Sequence, residues 1–189
     1  TSVGKTTVVR RLVYHFIFNS PVVPTIVSLE ETASQYMLEL LALHMEQNLR
    51  WNYSDEELSE LIESDLGQKL KQELCYKEDG SPRFYLLDER GATIKEVEQV
   101  MEEMRSVYSC DLFIMDVLTD MLRGSAEAHA EDHLTFKKGF IKTGATIVNV
   151  LHTRKPQQDK EGKVRKVTEY DALGTGSFVQ SAAYNFVLN

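Results

Sequence analysis

The chain has little cysteine, proline and tryptophan, with two, four and one of these residues among 189. Cys75 and Cys110 form no C-x-x-C pair, so the sequence lacks the usual signature of a disulfide scaffold or a zinc site. We expect both thiols to be reduced, as in a cytoplasmic protein. No apolar run approaches the roughly 20 residues of a membrane span, and the chain opens on polar residues. We therefore expect neither a membrane partner nor a signal peptide.

Basic residues are also scarce, since the net charge is −8. This balance argues against a general nucleic-acid binder. The exception is the segment 154–166, which contains six basic and two acidic residues and has a net charge of +4. The rest of the chain then has a net charge of −12. Such a stretch is either a solvated loop or a surface that faces a polyanion.

Helical and extended patterns alternate along the chain. Apolar periodicity and capping boxes predict helices over 6–18, from Thr32 (boxed with Gln35), across 52–74 (Ser54 with Glu57), from Thr93, over 126–142 and from Ser177. Apolar runs predict strands at 25–30, 83–88, 111–116 and 146–152, and a last strand in "YNFVL". We expect a single α/β domain over 1–189, with a mostly parallel sheet covered by helices on both faces.

Ligands of such sheets bind at the carboxyl ends of the strands. Near the start of the chain, Gly4-Lys5-Thr6 matches the end of the phosphate-binding pattern G-x-x-x-x-G-K-[ST], directly before a helix. Gly4 lets backbone amides surround phosphate oxygens, Lys5 neutralises them and Thr6 offers a hydroxyl to Mg²⁺. The predicted nucleotide-binding residues are Ser2, Val3, Gly4, Lys5, Thr6 and Thr7.

Polar residues close the other predicted strands. Asp116 fits a Walker-B carboxylate that holds Mg²⁺, although a strand-ending Asp is often only a turn residue. Glu30 fits a general base for the attacking water, with Glu31 as a competing candidate; a charge at a helix N-terminus is the simpler alternative. His152 either contacts a γ-phosphate or is a satisfied buried histidine. Asp88 and Glu89 are interpreted as turn residues.

The ordered set "GKTT", "SLEE", "DLFIMD", "NVLHTRKP" and "DALGTGSFVQSAAYNFVLN" resembles the RecA-like ring-forming replicative DNA helicases, across nearly the whole chain. Phage primase-helicases and the mitochondrial helicase Twinkle are most similar, and DnaB-type enzymes are more distant. The resemblance implies a P-loop motor that uses ATP (or dTTP) and Mg²⁺. It implies a homo-hexameric ring that moves 5′ to 3′ on single-stranded DNA, in the host cytoplasm if the protein is viral.

On this resemblance Glu30 and His152 are catalytic, and Asp116 binds Mg²⁺ together with Thr6. The loop 171–176 faces the DNA channel, with Leu173 where the phage pattern usually has Arg. The implied DNA contacts are Lys163, Arg165, Lys166, Gly174, Thr175 and Gly176. The leading P-loop glycine and the arginine finger of the family fall outside 1–189. We therefore expect a truncated motor, weakly active or inactive alone, with a fused or associated primase and polymerase as possible partners.

Two other interpretations stay open on the sequence. A RecA- or RadA-type recombinase uses the same P-loop and sheet but forms filaments on DNA. A KaiC-like signalling or scaffold ATPase has no DNA function, and the basic stretch and glycine-rich loop argue against it.

Overall fold

The computed structural model describes residues 5–116, 118, 135, 139–140, 142–151, 168 and 182–184. Helices separate the first three strands in this part of the chain, as the sequence predicts, with four helices in succession between the first strand and the second. Their order is α1 (Lys5–Asn19), β1 (Pro24–Ser28), α2 (Ala33–His44), α3 (Leu49–Asn52), α4 (Asp55–Glu63), α5 (Asp65–Cys75), β2 (Tyr85–Asp88), α6 (Ile94–Tyr108), β3 (Leu112–Asp116) and β4 (Thr146–Asn149). No helix among the described residues is long and apolar enough to cross a membrane.

The four strands form one parallel sheet in the order β2-β1-β3-β4. After β1 the chain pairs β2 on one side, and it then crosses back to place β3 on the other side of β1. The two central strands are buried along their whole length. The prediction of a parallel α/β sheet is therefore confirmed within the described residues.

Helices cover both faces of this sheet. On one face Val97, Met101 and Met104 of α6 pack against alternate residues of β1 and β3, including Val27 and Phe113. On the other face α1, α2 and α5 contribute Val13, Ile17, Leu40, Leu41 and Leu74 to a second core around Ile26 and Ile114. Side chains alternate between faces along a strand, so Ser28 and Asp116 share the face of Ile26 and Ile114.

The two predicted capping boxes, at Thr32 and Ser54, are present, and the predicted cap Thr93 also forms a box, with Glu96. The predicted helical region 52–74 is interrupted at Ser64, which ends α4 and caps α5 by accepting the Gly67 N–H. The strand predicted to end at Glu30 ends at Ser28 instead. The helices predicted over 126–142 and from Ser177, and the strand in "YNFVL", lie wholly or largely outside the described residues.

The apolar faces of two helices differ in detail from their predicted patterns. The apolar spacing predicts a buried face of Met37, Leu40, Leu41 and Met45 for α2, whereas its buried residues are Tyr36, Leu40 and Leu41. In α6, Val107 continues the apolar spacing but is 63% exposed. Both cysteines are free thiols, as expected.

Candidate functional site

The carboxyl edge of the sheet brings Ser28, Asp88 and Asp116 into line. Ser28 is paired in register with Asp88 on one side and with Asp116 on the other. Because the chain leaves β1 toward β2 while β3 lies on the opposite side, the gap between β1 and β3 is a topological switch point. Ligands of open parallel sheets bind at this kind of crevice.

Hydrogen bonds fix the loop that follows β1 against the end of β3. The Leu29 N–H donates to the backbone carbonyl of Asp116 at 2.8 Å. The Ser28 hydroxyl donates to the carbonyl of Glu31 at 2.6 Å and turns the chain away from the sheet. This turn explains why β1 ends at Ser28, and it places Glu31 beside the crevice.

Arg10 of α1 joins the two sides of the crevice. Its Nη1 donates to Oδ2 of Asp116, and its Nη2 donates to Oε2 of Glu31 at 2.5 Å. The Arg10 side chain is 4% exposed, and those of Asp116 and Glu31 are 9% and 32% exposed. Burial alone lowers the pKa of Arg10, but the neighbouring Tyr36, Asp116 and Glu31 outweigh it and raise the pKa. Arg10 therefore stays positively charged between the two carboxylates of Asp116 and Glu31.

Tyr36, in the first turn of α2, forms the floor beneath this cluster. The Arg10 guanidinium lies 3.3 Å from the centroid of its ring, which is a cation–π contact. Burial raises the pKa of Tyr36, Arg10 opposes this and Asp116 adds to it, so the phenol stays neutral. The Tyr36 hydroxyl and the Arg10 Nε are buried and have no hydrogen-bond partner of good geometry.

The structure brings some predicted site residues together. Asp116 lies at the crevice as predicted, and the competing candidate Glu31 contacts the cluster, whereas Glu30 is exposed. Lys5, Thr6 and Thr7 form the first turn of α1, and Thr6 precedes Arg10 by about one helical turn.

Other predicted residues lie outside the described part of the chain, and their predicted roles stay predictions. They are Ser2, Val3, Gly4, His152, Lys163, Arg165, Lys166, Gly174, Thr175 and Gly176.

Asp88, interpreted from the sequence as a turn residue, is the last residue of β2 and has a structural role. It accepts a hydrogen bond from the Ala33 N–H at the start of α2, and it pairs with Arg90 at 2.6 Å. The hydrogen bond from Arg90 and the one from Ala33 lower the pKa of Asp88. This carboxylate is engaged in holding α2 to the edge of the sheet.

A separate cleft of about 740 Å³ lies between the β2–α6 loop and α6. Its lining includes Glu89, Glu96 and Glu103, and burial followed by repulsion from Asp88 and Glu96 raises the pKa of Glu89. Asp116 does not line this cleft. A wall of carboxylates repels phosphate, so the cleft does not suit the phosphates of a nucleotide.

The side chains at the crevice suit a cation held by one carboxylate together with water or phosphate. They do not suit a site in which the protein supplies all the metal ligands. Among the described residues, no group of three or more His, Cys, Asp or Glu side chains is arranged to hold a metal. Magnesium is typically held by one or two carboxylates together with water and substrate phosphates. The Asp116 carboxylate, already paired with a cationic group, meets that requirement in its donor chemistry.

The sequence pattern missed Arg10 and Tyr36. A signal for Arg10 was available, because it lies on the same helical stripe as the buried Val13 and Ile17. A charged residue on an apolar stripe needs an opposite charge from another element. No local pattern identifies that partner, because Asp116 lies 106 positions away.

The fold and the crevice define a parallel α/β protein with a charged site at its topological switch point. Compared with protein-family models and with curated proteins, the sequence has no significant match. The helicase resemblance thus stays a prediction from the motifs.

Proposed function

We propose that this chain is the NTP-hydrolysing motor domain of a ring-forming replicative DNA helicase. The observation that carries the proposal is the position of Asp116, a nearly buried carboxylate at the switch point beside the helix that begins with Lys5-Thr6. A phosphate-binding turn and a strand-end carboxylate are the two elements that a P-loop NTPase needs for its nucleotide and its cation. The same fold serves many functions, so the site is what supports the proposal.

Each residue in the proposed site has a distinct task. Lys5 and the first amides of α1 hold the phosphates, and Thr6 and Asp116 hold Mg²⁺. The bound magnesium–nucleotide supplies the phosphoryl group that is transferred to water. Asp116 is held in place by its register with Ser28 and by the Leu29 N–H that binds its carbonyl.

Two adjacent carboxylates compete for the role of general base. The resemblance favours Glu30, which is exposed, whereas contact with the Asp116 cluster favours Glu31. In the full-length protein, Glu30→Gln and Glu31→Gln separate them, because neutralising the true base removes hydrolysis while nucleotide binding is kept. The matched substitution of the other glutamate leaves most of the hydrolysis intact.

The proposed DNA contacts come from the basic stretch and the loop at 171–176. In a hexamer one loop per subunit faces the strand, so an acidic chain still lines its channel with positive charge. Lys163, Arg165 and Lys166 would contact phosphates without reading sequence, which suits a translocating motor.

Nucleotide binding is the first test. We expect the chain to bind a fluorescent ATP analogue in the presence of Mg²⁺, and Lys5→Ala to weaken binding by about tenfold or more, or about 1.4 kcal/mol. Lys69→Ala is the matched control, since Lys69 lies on α5 with its side chain 72% exposed. Equal binding by Lys5→Ala and Lys69→Ala contradicts the proposed site.

The helicase activity is tested with forked duplexes that carry either a 5′ or a 3′ tail, using the full-length protein. We expect unwinding that requires the 5′ tail and disappears in Lys5→Ala. Hydrolysis stimulated by single strands without unwinding would favour the recombinase. An ATPase with no response to DNA would favour the signalling class.

A further inference from the structure

Arg10 fills the place beside Asp116 that a metal ion needs. Its guanidinium donates a hydrogen bond to Oδ2 of Asp116, whose side chain is only 9% exposed. A guanidinium does not lose its proton at any ordinary pH, so it cannot give up its charge to make room. A cation that binds Asp116 therefore has to compete with Arg10 for the carboxylate.

Arg10 has three partners in the cluster. If it releases Asp116, it still contacts Glu31 and Tyr36. Nη2 binds Glu31 at 2.5 Å, and the guanidinium stacks 3.3 Å above the Tyr36 ring. Neither contact uses Asp116. Arg10 therefore keeps an ion pair and a cation–π contact when it releases Asp116.

Two further buried polar groups belong to the cluster. The Tyr36 side chain has no exposed surface, and its hydroxyl, near Asp116 and Arg10, makes no hydrogen bond of good geometry. The Arg10 Nε is likewise buried and unpaired. Of the two, only the Tyr36 oxygen has a lone pair that can face a cation, because the Arg10 Nε–H is a donor.

We propose that Arg10 is an internal counter-cation that neutralises Asp116 and is displaced toward Glu31 when a divalent cation binds. This inference rests on the proposed function, since it takes Asp116 as the residue that faces the cation. Arg10 then sets the affinity of the site for metal. It also prevents the carboxylates of Glu31 and Asp116 from facing each other unpaired.

Mn²⁺ alone is the probe, and free Mn²⁺ is measured by electron paramagnetic resonance without nucleotide. We expect Arg10→Gln to bind Mn²⁺ about tenfold more tightly than the natural chain, or more, and Arg10→Gln/Asp116→Asn to lose the gain. Arg11→Gln is the matched control, because Arg11 is exposed, adjacent on α1 and carries the same charge. Equal Mn²⁺ affinity in Arg10→Gln and the natural chain overturns the proposal.

A second measurement needs no substitution of Arg10, in case Arg10→Gln does not fold. The guanidinium nitrogen resonances of the natural chain are followed by NMR while Mg²⁺ is added. We expect the Arg10 signals to shift, and the shift to disappear in Asp116→Asn. Arg10 signals that stay unchanged while the natural chain binds Mg²⁺ overturn the displacement.

The two proposals fail in different ways. A chain that binds no ATP analogue but gains Mn²⁺ affinity in Arg10→Gln keeps the counter-cation and loses the motor function. A chain that binds the analogue through Lys5 but has the same Mn²⁺ affinity in Arg10→Gln keeps the function and loses the counter-cation.

Discussion

The two faces of the sheet are built from the same strands but differ in what they bury. The face under α6 buries apolar side chains such as Val97, Met101 and Phe113. The face under α1 and α2 is apolar around Ile114, and then becomes charged at its carboxyl end, where Arg10 and Asp116 meet. A buried ion pair stabilises a fold less well than apolar packing of similar volume. The face under α6 therefore stabilises the fold more effectively. The face under α1 and α2 contributes less to stability where it buries the charged cluster of Arg10 and Asp116.

The largest effect is expected on the apolar face, from Phe113→Ala. Phe113 is fully buried and packs edge-to-face against Phe140, so we expect unfolding in urea to become easier by about 3–5 kcal/mol. Mn²⁺ affinity, measured under folding conditions, stays unchanged. Trp51→Ala is the control, since Trp51 is 87% exposed and its removal should change stability by no more than about 0.5 kcal/mol.

Next in size is the loss of a carboxylate on the charged face. Asp116→Asn removes the buried partner of Arg10, and we expect a loss of about 1.5–3 kcal/mol in urea unfolding. Glu31→Gln removes the half-exposed partner, and solvent screening limits its loss to about 1 kcal/mol or less. A larger loss in Glu31→Gln than in Asp116→Asn contradicts the assigned order of the two contacts.

The capping boxes allow a matched comparison between the faces. Thr32 caps α2 and Thr93 caps α6, and both side chains accept an N–H from the third helical residue. We expect Thr32→Ala and Thr93→Ala each to destabilise the chain by about 1 kcal/mol. Only Thr32→Ala should also shift the Arg10 guanidinium resonances, because α2 carries Tyr36. Shifts of equal size in both variants argue against a site confined to one face.

The smallest effect concerns pH and the capping carboxylates. Backbone hydrogen bonds from Ser54 and Thr93 lower the pKa of Glu57 and Glu96 in the folded chain. Their contribution to stability is therefore present above the ordinary glutamate pKa of about 4.3 and is lost as the pH falls below it. We expect the urea midpoint to drop less between pH 5 and pH 3, roughly the range of this titration, in Glu57→Gln/Glu96→Gln than in the natural chain. If the urea midpoint drops equally in the double variant and in the natural chain, the two capping carboxylates do not contribute to the pH dependence of stability.

Local signals explain why much of the fold was predictable. A capping box needs only residues three positions apart, so Thr32 and Ser54 mark their helices in the sequence, and Thr93 marks its helix as a cap. The break at Ser64 was missed because the helical pattern continues on both sides of it. Val107 keeps the apolar spacing of α6 but lies 63% exposed in the last turn, a fact that only the tertiary structure supplies.

The site was less predictable, because its contacts are distant in the chain. Strand-end logic found Asp116, since a parallel sheet collects its carboxyl ends at one edge. The same reasoning leaves both Glu30 and Glu31 as candidates. Which of the two faces the crevice depends on the turn that the Ser28 hydroxyl makes with the Glu31 carbonyl. The partnership of Arg10 with Asp116 depends on how α1 packs against the sheet, which no local pattern contains.

The contact between Arg10 and Asp116 spans 106 positions of the chain. Helices form in about a microsecond, whereas contacts between distant segments form late and slow the folding of a domain. During synthesis α1 leaves the ribosome long before β3 does, at about 5–20 residues per second, so Arg10 spends seconds in water without its partner. The ion pair between Arg10 and Asp116 is therefore acquired only as β3 joins the sheet, and its presence reports that α1 and β3 have come together.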